Sequence, residues 1–161
     1  MRNLFLVTLL YCSSSLAIPS VGDVARWEGK MILFVGRMPM EHNFFEQDEI
    51  LSFDPAKKVY LVKQETSLNG IETVEISLDS MATDQSINDK LKNCVEAKGH
   101  LEKITTKAGT FDTCSIKESD SSGETKTWHA LVPFGFAKTQ RVTKSGSLNA
   151  SLVSYKLGSP K

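Results

Sequence analysis

The side chains that could attack, ligate or exchange a proton stand in no productive pattern along this chain. His42, His100 and His129 are far apart, and none belongs to a His-x-x-x-His or Cys-x-x-Cys arrangement, so a metal centre would have to be assembled entirely by the fold. His129, next to Trp128 in an alternating run, reads as a strand residue on a solvent face. No Gly-x-Ser-x-Gly elbow presents a nucleophile, and no glycine-rich loop could cradle a phosphate. Asp48 and Glu49 are neighbours on an extended run, which sends them to opposite sides of a strand and does not suit a glycosidase pair. The sequence points to no catalytic residue, no metal and no cofactor.

Cysteine chemistry is more informative. Residues 1–17 read as a secretory signal peptide, with Arg2 as the basic end, Leu4–Tyr11 as the apolar core and Ser15-Leu16-Ala17 as a small-residue cleavage site. The apolar run is too short to cross a bilayer, so no transmembrane segment is expected in the mature chain. Tyr11 occupies the place where a lipoprotein signal needs a small residue, and cleavage after Ala17 removes Cys12. Cys94 and Cys114 then remain, an even count in an exported protein, and a disulfide between them is the simple reading. It would close a loop of about 20 residues and contribute roughly 3 kcal/mol on the chain-entropy estimate.

A second group is chemically soft rather than reactive. Met38, Met40, Phe44 and Phe45 gather around Pro39. Such a set can line the inner face of a sheet or a cavity for an apolar ligand, and the sequence leaves both open.

These residues must be held by a sheet. Val24–Glu28 and Met31–Val35 read as two short strands about Gly29-Lys30. Glu49–Phe53 and Lys58–Thr66 flank the turn Asp54-Pro55-Ala56-Lys57, and Asn69-Gly70 is a strong hairpin signal before an alternating strand containing Val74 and Ile76. Ser86 precedes Ile87, Leu91, Cys94 and Val95, whose spacing predicts a helix with Ser86 at its start and Gly99 as its stop. Beyond it, Leu101–Thr106 and Phe111–Lys117 pair across Lys107-Ala108-Gly109-Thr110. The polar run 118–124 reads as a solvated loop, and Ala137–Thr143 pairs with Leu148–Leu157. The expected fold is mainly β with some α, a curved antiparallel sheet or half-barrel with one helix inserted mid-chain. Residues 18–161 form one domain, because no linker or repeat divides them.

The set Gly22-Asp23, Asn93-Cys94, Ala108-Gly109-Thr110-Phe111 followed by Cys114, Trp128 followed by Val132-Pro133-Phe134-Gly135, and Leu152-Val153-Ser154-Tyr155 resembles a group of bacterial envelope domains of unknown function. Those domains look like relatives of the LolA/LolB-type half-barrel. The resemblance covers Gly109–Gly158 best and thins out before Ser86. It implies a hollow sheet covered by a helix, a shape that related carriers use for acyl chains.

With 19 basic and 19 acidic side chains and no basic run, nucleic acid is not an expected partner. The reading that follows is a non-enzymatic protein of the bacterial periplasm or exterior, holding a lipid or other apolar ligand between sheet and helix. The alternative is an envelope structural module that binds another envelope protein and no small ligand. An exported lipocalin shares the size and the disulfide, but its helix would fall near the end of the chain rather than in the middle.

Overall fold

A computed structural model describes residues 19–159. The expected signal peptide, with Cys12, lies outside the described residues. Nine strands alternate with tight turns: β1 (Val24–Val35), β2 (Met38–Asp54), β3 (Val59–Thr66) and β4 (Gly70–Ser77), then, after the helix α1 (Asp84–Lys92), β5 (His100–Thr106), β6 (Gly109–Asp120), β7 (Gly123–His129), β8 (Phe136–Thr143) and β9 (Gly146–Lys156). They form one antiparallel sheet in the order β4-β3-β2-β1-β9-β8-β7-β6-β5. Two meanders are thus joined at the centre by the first strand and the last, and the segment carrying α1 runs from one edge of the sheet to the other. The sheet is open and curved. It bends far enough for Lys107, in the turn before β6, to reach Glu28 of β1 at 3.2 Å, and for Phe111 to lie 6.2 Å from Tyr155.

Local chemistry explains most of the turns. Asp54 Oδ1 accepts from the backbone N–H of Ala56 and Lys57, closing the turn before β3, and Gly70 takes a positive φ at the start of β4. One expectation changes at Gly29: β1 is a single strand of 12 residues that passes straight through it. A Cβ on Gly29 would fall 1.8 Å from the carbonyl oxygen of Asn149, so glycine there permits close approach of β9 instead of a turn. The reversal comes later, at Gly36 (φ 66°). Likewise 118–124 is largely strand, because β6 and β7 stay paired to Asp120↔Gly123 with polar side chains along both.

The helix starts earlier than its apolar spacing suggests. Thr83 is the N-cap: its Oγ1 accepts from Ser86 N at 3.0 Å, while Thr83 N donates to Ser86 Oγ at 2.9 Å. This is the reciprocal capping box with serine in the third position. Intrahelical bonding ends at Asn93, so Cys94 and Val95 lie in the turns that follow. Cys94 is buried there in a disulfide with Cys114 of β6, and Val95 is exposed. The covalent link ties the end of the helix to the sheet. Gly99 packs against the bond, since a Cβ at that position would lie 2.7 Å from both sulfurs.

Two apolar clusters form the core. One surrounds Trp27, with Met31, Phe44, Val132, Ala150 and Leu152, and the other joins Ile50, Tyr60, Val62 and Met81. Phe134 packs against both. It is held at φ 63° between β7 and β8 with its ring edge-on to Trp27 at 5.9 Å, while Phe136 stacks on the indole at 4.5 Å. The Trp27 Nε1–H donates to the carbonyl of Phe136.

Candidate functional site

Residues directly opposite in an antiparallel pair share a face. The pairs Gly29↔Phe44, Leu33↔Met40 and Val35↔Met38 therefore place Met38, Met40 and Phe44 on the face that carries Trp27. Phe44 is buried against the tryptophan cluster, whereas Met40 and Met38 lie progressively farther out along the strand and are 46% and 70% exposed. Phe45 turns to the opposite face, where the guanidinium of Arg26 lies 4.6 Å from its ring centre. The four residues therefore do not converge on one cavity.

The space between helix and sheet is a different place. A recess of about 320 Å³ opens beside α1, with Met81, Ile87, Phe134 and Phe136 supplying its apolar wall. Asp79, Lys90 and His129 stand at its polar side. Each arrives by a local rule: the capping box aims Ile87 down at the sheet, and the turn at Pro133–Gly135 brings Phe134 over it. Gly135 leaves room for that contact, since a Cβ there would lie 2.4 Å from the side chain of Ala82 and 2.7 Å from Ile87. The His129 imidazole is not on an open solvent face, because the helical segment covers it. Burial and the charge of Lys90 push its pKa below the ordinary value, which favours the neutral ring. The recess can hold a short apolar group with a polar or anionic end at Lys90.

The Trp27 face also carries a carboxylate pair, in which the partner of Asp48 is Glu46 and not Glu49. The pairs Trp27↔Glu46 and Ala25↔Asp48 set Glu46 and Asp48 side by side on that face. Burial pushes Glu46 up; burial first, and then the charge of Glu46, push Asp48 up to about 7. The amide of Gln64 donates to Asp48 and offsets this in part. The signal was their spacing of two along a strand, which keeps side chains together, whereas the adjacent Asp48 and Glu49 diverge. Among the described residues no group of three or more His, Cys, Asp or Glu is arranged to hold a metal ion. No described helix is long and apolar enough to cross a membrane.

Neither a protein-family model nor a curated protein sequence matches the chain. Among solved structures, one similar protein comes from Bacteroides fragilis, is inferred to be exported and has a YmcC-like fold. It shares 9% identity over 85% of this chain and 96% of its own length, with a TM-score of 0.49. At that score the likeness carries no argument about function, and it is not specific to the LolA/LolB-type half-barrel.

Proposed function

We propose that this is an exported, non-enzymatic protein of the bacterial envelope that binds a lipid or another small apolar ligand between the sheet and α1. The observation that carries the reading is the recess walled by Met81, Ile87, Phe134 and Phe136. Its volume of about 320 Å³ falls at the lower end of the range for small-molecule sites, about 300–1,000 Å³. Lys90 at its polar side suits a ligand with an anionic end. The Cys94–Cys114 bond fits an oxidising compartment and fixes the helix over the recess.

Native mass spectrometry with solvent extraction, on protein purified without detergent from an exporting host, tests this. A stoichiometric apolar adduct that is lost in Ile87→Trp, which fills the recess, is the expected result. Protein that stays free of adduct when offered fatty acids and phospholipids, with no change on Ile87→Trp, would overturn it.

A further inference from the structure

The hairpin of β1 and β2 outruns the strands beside it. Pairing of β1 with β9 ends at Leu33↔Gly146, with one further bond from Phe34 N to the carbonyl of Ser145. Pairing of β2 with β3 begins only at Glu46↔Thr66, next to a bond from Ser67 N to the carbonyl of Phe45. Met38–Phe44 is therefore bonded to β1 alone. The result is an arm with one open edge.

Its side chains break the rule that an antiparallel sheet keeps one face wet. Ile32, Leu33, Phe34 and Val35 follow one another without a polar residue, and Met38-Pro39-Met40 return along the partner strand. Because side chains alternate, both faces are apolar towards the tip: Leu33, Val35, Met38 and Met40 on one, and Phe34, Pro39 and Ile32 on the other, where Glu41 stands opposite Ile32. Phe34 is 48% exposed and Val35 57%. Val142, aligned with Ile32 through Ser147, extends the second face.

A protein groove would cover one of these faces and leave the other in water. Strand addition at the open edge is also hindered. Phe34 points its N–H towards β9, so the nitrogen of its partner Pro39 points to the free edge, where it has no hydrogen to donate. An occupant that surrounds the arm meets both faces at once.

The charges nearby decide which kind. Arg37 sits at the tip, Lys144 in the adjoining turn before β9, and Arg141 beside Leu148 in the register. Of the acids near this end, Glu41 pairs with Lys30 at 2.7 Å, Glu124 with Lys117 at 2.7 Å, and Asp120 bonds Ser122 in its own turn, while Glu118 lies in register with Arg141 across β7. Among the described residues Arg37 and Lys144 have no ion-pair partner. We infer that the arm docks the protein on an anionic lipid surface, with Phe34, Val35 and Met38 entering the acyl boundary and Arg37 and Lys144 meeting lipid phosphates. This goes beyond the ligand recess and does not depend on it, since the two lie in different parts of the molecule.

Co-sedimentation of the disulfide-bonded protein with sucrose-loaded vesicles tests it. Vesicles of phosphatidylglycerol mixed with phosphatidylcholine are compared with phosphatidylcholine alone. Binding at least tenfold stronger to the anionic vesicles is expected, falling at least tenfold in a Phe34→Ser/Val35→Ser double variant and severalfold in Arg37→Glu/Lys144→Glu. These positions are exposed, and unchanged melting of the variants will show that the fold survives. Equal recovery with and without vesicles would overturn the inference. So would vesicle binding indifferent to both double variants, or a concentration-dependent dimer that the serine substitutions abolish while vesicle binding is absent.

Discussion

Asp48 faces Gln64 directly across β2 and β3, and the amide nitrogen of Gln64 stands 3.3 Å from both carboxylate oxygens. Those bonds are long, and the group is only 6% exposed beside Glu46, so the folded state holds its proton up to about pH 7, far above the ordinary 3.8. Between those values the native state binds more protons than the unfolded chain. The stabilisation is complete below pH 3.8, declines as pH rises, and is lost above about 7. Urea denaturation from pH 4 to 8 should show that decline, with a ceiling of about 4 kcal/mol. Asp48→Asn should flatten the profile and be more stable than the parent at pH 8. An unchanged slope in the variant would show that Asp48 is ionised in the fold.

The disulfide gives a second prediction. Cys114→Ser should lower stability by roughly 3 kcal/mol, as expected for opening a loop of this length. Gly99→Ala should cost about 1–3 kcal/mol with the bond intact, because the added methyl meets two sulfurs and the Cys94 carbonyl. Thermal melting of the two variants, with and without reductant, checks both. Reductant should act on the glycine variant and leave the serine variant unmoved.

Asp23 joins the two ends of the described chain. Its buried carboxylate accepts from Ser20 N and Gly158 N, each at 2.7 Å. Asp23→Ala leaves both donors without that partner and should cost about 2–4 kcal/mol. Amide exchange at Gly158 should accelerate more than exchange in β8.

Phe134 separates backbone strain from packing. Removing its ring empties the contact between the two apolar clusters, so Phe134→Ala should cost about 3–5 kcal/mol. Phe134→Gly loses the same ring but relieves the positive φ, and should be the milder change by about 1 kcal/mol. Chemical denaturation of the pair gives the order directly; a glycine variant less stable than the alanine one would contradict the account of the backbone.

What the sequence made legible was local chemistry. Asp54-Pro55, Asn69-Gly70 and Ala108-Gly109 each signal a reversal within a few residues, and each reversal is where those residues place it. The cysteine pairing was legible from the count and compartment. Gly29 was misread because its reason is Asn149, more than a hundred residues away, and nothing nearby reveals an approaching strand. The run 118–124 was misread because strands with two wet faces lack the apolar alternation by which strands are recognised. The helix start was hidden for a third reason: the capping box uses serine where the familiar pattern has an acid. At the candidate site, Met38, Met40, Phe44 and Phe45 were legible as a soft apolar set. Their division between a core, an opposite face and an open arm depends on strand lengths that no turn signal specifies.

The first strand pairs with the last across Trp27↔Leu152 and Met31↔Leu148. During synthesis, or during passage through any narrow pore, β1 emerges well before β9 and waits for that second partner. The earlier hairpins can form as they appear, but the seam that joins the two meanders closes only once β9 is present. Assembly therefore has a built-in order, and a partly delivered chain keeps the central edge of β1 available to whatever holds it unfolded.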